Sequence, residues 1–179
     1  NLRKLKLLFV TQVEEHWTSW LENLHLATQL THLRLPDKWT SNVDYIPKLT
    51  ELVMKEIEGL SQLTSLTYHS TSCFSLNTSF PPQLTSLDVM GMGLDVPEHV
   101  EFLQFEQMTL LETLKLTLVA KPRMDHLLNL LSQLPISLTS FTLNCSTPFT
   151  AAEVDTVFCA LGHLENITVL KIEVYFSIP

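Results

Sequence analysis

The sequence predicts an α/β solenoid, in which short strands form one parallel sheet and helices pack behind it. Three observations lead to this prediction. A six-residue phrase with apolar residues at its first, fourth and sixth positions recurs eight times in 179 residues. The phrase places apolar side chains on one face of a short strand and polar side chains on the other. Several phrases are followed by segments with helical spacing, and a repeat of tens of residues is typical of solenoids.

The eight phrases run through the whole chain and are the predicted strands. Their apolar positions are Leu2/Leu5/Leu7, Leu30/Leu33/Leu35, Leu49/Leu52/Met54, Leu63/Leu66/Tyr68, Leu84/Leu87/Val89, Leu111/Leu114/Leu116, Leu138/Phe141/Leu143 and Ile167/Leu170/Ile172. About eight strands, spaced as in ordinary sheets, predict a concave sheet surface roughly 34 Å long. That length is enough for a standard protein interface.

Helices are expected on the convex side at both ends of the chain, because the repeats are longest there. Two of their start signals are capping boxes, Thr11 with Glu14 and Thr150 with Glu153. The other two are Asp95 with Pro97 in the first turn, and Pro122. Residues 36–48 and 69–83 are rich in Ser, Thr, Asn and Pro and have no helical period. They are predicted to be irregular loops in the middle of the chain.

One spacing does not fit a regular repeat. The phrases that begin at Leu49 and Leu63 are 14 residues apart, below the roughly 20 residues of a normal repeat. Two interpretations remain open. Either the connection is a very tight turn around Gly59, or one of the two phrases is not a regular strand.

Length and composition predict a single domain over residues 1–179. Apolar residues make up 45% of the chain, enough for a sizeable core, and no low-complexity linker divides it. The first phrase begins at residue 2 without an initiator methionine, and the chain stops soon after the last phrase. Because the terminal repeats of a solenoid normally need polar caps, we expect a fragment of a longer protein.

The charge balance limits the classes of partner. The formal net charge is -8, with 11 Lys and Arg residues against 19 Asp and Glu residues. Nucleic-acid binding is therefore not expected, because it depends on neutralising phosphates with Lys and Arg. No apolar run approaches the roughly 20 residues that span a bilayer, so membrane insertion is not expected either.

Cysteine usage favours a cytoplasmic location, with an extracellular one as the alternative. The three cysteines are an odd number, are widely spaced and contain no Cys-x-x-Cys, so neither a disulfide framework nor a zinc site is expected. Three N-glycosylation sequons support the alternative, at Asn77, Asn144 and Asn166. In that case the chain would be an extracellular receptor fragment that binds a peptide or a glycan.

The recurring phrases resemble the leucine-rich-repeat family over essentially the whole chain. The long units are similar to the ribonuclease-inhibitor-like and cysteine-containing classes, in which a convex helix follows each strand. The ninth position departs from the family, because no unit has the usual Asn or Cys there. The resemblance implies a non-catalytic protein-recognition module, such as an adaptor, a sensor or a substrate receptor, without a cofactor.

The third, fifth and seventh positions of each phrase are expected to face the concave side. These 24 positions hold six of the chain's 11 Lys and Arg residues, about four times their share of the chain, which attracts an acidic partner. The alternative is that Lys and Thr merely keep an exposed sheet soluble. The candidate partner-binding residues are Lys4, Lys6, His32, Arg34, Trp39, Lys55, Thr67, His69, Asp88, Lys115, Thr142 and Lys171.

Other residue patterns are given structural interpretations. Thr occupies the second position in six phrases, where a β-branched residue suits a strand start better than an ice-binding lattice. Trp17 and Trp20 share one predicted helix face and are expected in the core, with an exposed docking patch as the alternative. Trp39 lies in a polar loop, where packing and binding are equally supported.

No motif indicates an enzyme. The chain has no His-Glu-x-x-His motif, no Gly-x-Ser-x-Gly motif and no phosphate-binding loop. Cys145 follows a predicted strand but has no base close to it in the sequence. A catalytic hypothesis would need a pocket in which Cys145 or Cys159 meets a His.

Overall fold

The strands pair in the order in which they occur along the chain. The computed structural model describes residues 2–6, 23–35, 55–57, 59–69, 80–92 and 105–176. Within these ranges one sheet contains seven strands, and every neighbouring pair is parallel. They are β1 (Lys4–Lys6), β2 (His32–Arg34), β3 (Ser65–His69), β4 (Ser86–Met92), β5 (Thr113–Leu118), β6 (Ser140–Phe149) and β7 (Val169–Phe176). The prediction of an α/β fold with a parallel sheet is confirmed.

Alternating burial explains why the phrases form strands. In β5 the buried side chains of Leu114, Leu116 and Leu118 alternate with more exposed polar ones. This period of two is the pattern of a strand with one face in a core. Each of the seven strands begins at the third position of its phrase, so the first apolar residue precedes the strand.

The core lies against one face of the sheet and is thickest in the middle. In the five phrases that supply β2 to β6, every first, fourth and sixth position is buried, with at most 2% of its surface exposed. Each such side chain contributes about 1.5–3 kcal/mol to stability when it leaves water. The outer strands are less covered, because Leu5 is half-buried and Leu170 is 40% exposed.

Two α-helices follow β5 and β6. α1 spans Met124–Ser132, begins two residues after Pro122, and buries three leucines at helical spacing. α2 spans Ala151–Ala160 and contacts α1. Short 3₁₀ segments precede β2, β5 and β7: Leu24–Leu26, Phe105–Gln107 and Leu161–His163.

The predicted capping box at the start of α2 is present. The Glu153 N–H donates to Thr150 Oγ1 at 3.3 Å, and the Thr150 N–H donates to Glu153 Oε2 at 2.7 Å. Each side chain thus satisfies a backbone donor of the other residue. The predicted helix starts at Thr11 and Asp95, and the predicted loop at 36–48, lie outside the described residues, as does most of the loop at 69–83.

The third phrase supplies no strand between β2 and β3, which corrects the prediction of about eight strands. His32, Leu33 and Arg34 of β2 pair directly with residues 65–67 of β3. No strand position is therefore left between β2 and β3, and the described residues 55–57 are helical. Residues 49–54 lie outside the described residues, so the two interpretations of the short spacing remain as predicted.

A glycine allows β4 to change its register with β5. Met90 pairs with Thr117 and Met92 pairs with Leu118, so β4 contains one extra residue between the two pairs. That residue, Gly91, has a φ of 81°. This left-handed conformation favours glycine, because a Cβ atom would crowd the following carbonyl oxygen.

Candidate functional site

The third, fifth and seventh positions of the phrases align across the sheet in three rows. We call them the polar face. The third-position row is Lys4, His32, Ser65, Ser86, Thr113, Ser140 and Val169. The fifth-position row is Lys6, Arg34, Thr67, Asp88, Lys115, Thr142 and Lys171. The seventh-position row, from β3 to β7, is His69, Met90, Thr117, Asn144 and Glu173.

The structure therefore brings nine of the predicted binding residues together with the register that the sequence predicts. They are Lys4, Lys6, His32, Arg34, Thr67, Asp88, Lys115, Thr142 and Lys171. The backbone of a tenth, His69, lies at the end of β3 opposite Met90. Adjacent strands are about 4.8 Å apart, so each row is a closely spaced line of side chains.

The fifth-position row is the least exposed part of the polar face. Its five inner side chains are half-buried, whereas Lys6 and Lys171 at its two ends are exposed. Neighbouring side chains on the same sheet face cover one another in this way. The row therefore presents half-buried polar groups in its middle and exposed lysines at its ends.

Threonines at the second position connect the beginnings of the strands. The Thr64 hydroxyl donates to the Thr31 carbonyl at 3.3 Å, and the Thr85 hydroxyl donates to the Thr64 carbonyl at 3.2 Å. Thr31, Thr139 and Thr168 make the same bond to the preceding strand. These hydroxyls are engaged with the backbone, which supports the structural interpretation of the threonines over an ice-binding one.

Two of the predicted cations are neutralised within the polar face. Lys115 Nζ lies 3.3 Å from Asp88 Oδ2 on the neighbouring strand, and Lys171 Nζ lies 2.7 Å from Glu173 Oε1 on its own strand. The sequence places Asp88 and Lys115 in adjacent positions of one row, so the first ion pair is implied by the register. Because their charges are paired, Lys115 and Lys171 attract an acidic partner less than sequence counting suggests.

The polar face is most basic at β1 and β2. Lys4 pairs in register with His32, and Lys6 pairs with Arg34. Residues 2–6 and 23–35 contain no Asp or Glu. Lys4 and Lys6 are exposed and form no ion pair with the described parts of the chain.

Hydrogen bonds set the orientation of the His32 ring. The Thr31 hydroxyl donates to the Arg3 carbonyl at 3.0 Å, and the same oxygen lies 2.8 Å from His32 Nδ1. The Thr31 hydroxyl and His32 Nδ1 therefore share a hydrogen bond whose direction depends on the ring tautomer.

Two acceptor oxygens of the polar face are enclosed without a hydrogen-bond donor. They are Oδ1 of Asp88 and Oδ1 of Asn144. An enclosed acceptor without a donor costs about 1–3 kcal/mol, so such atoms are rare in ordinary cores.

Two predicted binding residues are not part of the polar face as described. Lys55 lies in the helical residues 55–57, so its predicted place in the seventh-position row is wrong. The error follows from the third phrase, which supplies no strand between β2 and β3. Trp39, Trp17 and Trp20 lie outside the described residues.

The cysteines have different environments. Cys145 is buried in β6, where its thiol lies 3.2 Å from Thr147 Oγ1 and 3.8 Å from the Ala120 carbonyl oxygen. Cys159 is exposed on α2. Across the described ranges, no group of three or more His, Cys, Asp or Glu residues is suited to hold a metal ion.

The sequons differ in how their asparagines are placed. Asn144 is half-buried on the polar face within β6. The Asn166 side-chain amide donates to the Ile136 carbonyl at 2.9 Å, and the hydroxyl of Thr168 in the same sequon donates to the Thr139 carbonyl. Asn77 lies outside the described residues. The polar groups of the Asn166 sequon are thus already engaged in joining neighbouring repeats.

Comparisons with known proteins do not assign a family. No protein-family model matches the chain, and no curated protein matches it significantly. Among the described residues, no helix is long and apolar enough to cross a bilayer. Any functional assignment therefore depends on the polar face and its chemistry.

Proposed function

We propose that the chain is a leucine-rich-repeat solenoid whose polar face, together with the adjacent loops, binds another protein without catalysing a reaction. The partner has an acidic surface, and the chain acts as an adaptor, a sensor or a substrate receptor. The observation that carries the proposal is the alignment of mainly polar residues in three rows, two across seven parallel strands and one across five. A repeat scaffold of this kind offers one continuous surface in place of a pocket.

The size of the polar face fits protein recognition. Seven strands at about 4.8 Å spacing extend roughly 29 Å, a length comparable with one side of a standard protein interface. The half-buried middle of the fifth-position row supplies fixed hydrogen-bonding groups from Thr67, Asp88 and Thr142. Fixed groups bind with a smaller loss of side-chain entropy than extended ones.

The charge of the polar face favours an acidic partner. The described chain places Lys4 and Lys6 at one end of the face, where both are exposed and form no ion pair with described residues. The chain as a whole has a net charge of -8. A basic patch on an acidic body orients an approaching acidic partner toward that patch.

Affinity capture tests this function. The wild-type domain and the variant Lys6→Glu/Arg34→Glu/Lys115→Glu are immobilised and exposed to lysate from the native source, and bound proteins are quantified. The control variant Lys55→Glu/Arg123→Glu reverses two cations that lie off the polar face. Circular dichroism verifies that all three proteins are folded.

We expect the immobilised wild type and the control variant to capture a set of acidic proteins. The face variant, Lys6→Glu/Arg34→Glu/Lys115→Glu, should not capture this set. The captured set should also decrease as salt rises, because salt screens exposed charges over about 10 Å at 0.1 M. Equal retention by the face variant would refute the proposal that the basic polar face binds the partner.

A further inference from the structure

β7 is the last strand of the described sheet, and one of its edges is not paired with any described strand. It spans Val169–Phe176, eight residues, and its other edge pairs with β6. At about 3.4 Å per residue, the strand is roughly 27 Å long. An unpaired edge presents backbone N–H and C=O groups to any strand that approaches it. β7 is therefore suited to pair with a strand of another molecule.

The core side of the sheet is less covered at β7 than at the inner strands. Leu170 occupies the fourth position of its phrase, where the residues of β2 to β6 are at most 2% exposed, yet 40% of its own surface is exposed. Ile172, on the same side of the strand, is only half-buried. Apolar surface gains free energy when it leaves water. A strand added beside β7 would therefore cover apolar side chains as well as pair backbone groups.

The charged residues of β7 match a second copy of the same strand. Lys171 and Glu173 are both exposed on the polar face, and Ile172 lies between them on the core side. When two β7 strands pair antiparallel about a two-fold axis at Ile172, Lys171 of each copy lies opposite Glu173 of the other. Opposite charges in facing positions stabilise a strand pair. On the core side, Ile172 faces the same residue of the second copy.

The ion pair within β7 fits this arrangement. Lys171 Nζ lies 2.7 Å from Glu173 Oε1 on the same strand. Pairing of two β7 strands about Ile172 would bring the two ion pairs side by side with their signs alternating. Each lysine would then have a carboxylate on its own strand and another on the facing strand. The edge of β7 therefore does not repel its own copy.

The opposite edge of the sheet does not match a second copy in this way. β1 has only three residues, Lys4–Lys6, with lysines at both of its polar-face positions. Antiparallel pairing of two β1 strands about Leu5 would set Lys4 opposite Lys6 of the second copy. Parallel pairing of β1 with β7 of a second copy, in the register of the other strands, would set Lys6 beside Lys171. Facing like charges are unfavourable, so pairing of β7 with β7 is the combination that the charges favour.

We propose that β7 pairs antiparallel with β7 of a second copy of this chain, about a two-fold axis at Ile172. The inference goes beyond the proposed function, because it concerns an edge of the sheet and not the polar face. The described strands of the two copies would form one sheet of fourteen, with both polar faces on the same side. Because both β7 edges are used in a single two-fold contact, assembly stops at the dimer.

Charge reversal at one position tests the pairing. Lys171→Glu places two glutamates opposite each other on both sides of the axis. The swap variant Lys171→Glu/Glu173→Lys restores opposite charges across the axis. Lys6→Glu is the matched control, because it makes the same charge change in the fifth-position row at the other edge of the sheet. Sedimentation equilibrium measures the mass of each protein over a range of concentrations, and circular dichroism verifies that each is folded.

We expect a dimer for the wild type, the swap variant and Lys6→Glu, and a dimer dissociation constant roughly tenfold higher for Lys171→Glu. A monomeric wild type at every concentration would overturn the inference. So would an unchanged dissociation constant for Lys171→Glu, or a swap variant that dissociates as readily as Lys171→Glu. Assemblies larger than a dimer that Lys6→Glu strengthens would indicate pairing of β1 with β7 and would also overturn it.

Cross-linking tests the position of the axis without changing a charge. Cys73→Ser/Cys159→Ser is the background, because Cys159 is exposed and Cys145 is buried. Ile172→Cys then places two thiols opposite each other, where Cα atoms about 4.5–5.5 Å apart allow a disulfide. Mild oxidation should give a covalent dimer with Ile172→Cys and little with Leu5→Cys at the other edge. No covalent dimer with Ile172→Cys, or equal amounts with both variants, would contradict an axis at Ile172.

Discussion

The Thr168 hydroxyl donates a 3.0 Å hydrogen bond to the carbonyl oxygen of Thr139, one strand earlier in the sheet. The same carbonyl accepts the backbone N–H groups of Thr168 and Val169. This three-donor arrangement recurs at Thr31 and Thr64, which accept from the next strand in the same way. The threonines thus reinforce the register at the beginnings of the strands.

The first prediction concerns this row of hydroxyls. Thr85→Val removes the bond from Thr85 Oγ1 to the Thr64 carbonyl while keeping the shape of the side chain. We expect the free energy of unfolding to fall by about 1 kcal/mol, the usual net value of one hydrogen bond. Urea denaturation measures the change. Thr85→Ser is the control, because it retains the hydroxyl and should restore part of the difference.

The row also contains a position without a threonine. Glu112 occupies the second position of the β5 phrase, and its N–H bonds to the Thr85 carbonyl without a side-chain hydroxyl beside it. Glu112→Thr should add the missing bond and raise the free energy of unfolding by about 0.5–1 kcal/mol. A lower stability for Glu112→Thr, or no loss in Thr85→Val, would contradict the role given to the hydroxyls.

The second prediction concerns the glycine in β4. Gly91 has a φ of 81°, so Gly91→Ala should destabilise the domain by about 1–2 kcal/mol. Gly162→Ala is the matched control, because a Cβ atom there meets nothing within 4 Å. Thermal unfolding should show a lower midpoint for Gly91→Ala and little change for Gly162→Ala. Equal midpoints for the two variants would show that the register change does not require a glycine.

The third prediction tests the assignment of the two sheet faces. Leu114 is completely buried, and its neighbour Thr113 is exposed on the polar face. Leu114→Asp should unfold the domain, because a buried unpaired charge costs on the order of 5 kcal/mol or more. Thr113→Asp should remain folded. Circular dichroism and urea denaturation distinguish the two, and a folded Leu114→Asp would show that the faces are assigned incorrectly.

The fourth prediction is a pH dependence at the start of α2. The hydrogen bond from the Thr150 backbone N–H, together with Lys121, lowers the pKa of Glu153 below its ordinary value. The charged form is therefore stabilised by folding, and its contribution is present at pH values above about 4.5 and lost as the pH falls through the lowered pKa. Urea denaturation from pH 6 to pH 3 should show a smaller loss of stability in Glu153→Gln than in the wild type. An equal loss of stability between pH 6 and pH 3 in the two proteins would contradict this origin of the pH dependence.

The sequence predicts the strands well because each phrase carries its own burial pattern. Leu114 and Leu116 alternate with polar residues, and no distant contact is needed to recognise this period. The capping box of Thr150 and Glu153 is equally local. At the third phrase the sequence is ambiguous, because Leu49, Leu52, Val53 and Ile57 also have helical spacing and a short apolar run does not distinguish the two periods.

The charges of the polar face depend on contacts that span whole repeats. Asp88 and Lys115 are 27 residues apart in the sequence and meet only through the pairing of β4 with β5. Counting cations along the sequence treats Lys115 as equivalent to Lys6, although Lys115 is paired with Asp88 and Lys6 forms no ion pair within the described ranges. The hydroxyl groups of the second-position threonines also bond across neighbouring strands. The residue pattern therefore indicates where these hydroxyls lie but not which carbonyl groups accept their hydrogen bonds.

Chemical footprinting of this domain, free and bound to a captured partner, tests the central claim most directly. The measurement is the rate at which cysteines of the domain are alkylated. Thr142→Cys places a thiol in the fifth-position row of the polar face, and the exposed native Cys159 on α2 is an internal reference. Cys73→Ser removes the cysteine that lies outside the described residues. We expect bound partner to slow alkylation at position 142 severalfold while Cys159 reacts at its free rate. Unchanged alkylation at position 142, or protection of Cys159 in its place, would contradict recognition through the polar face.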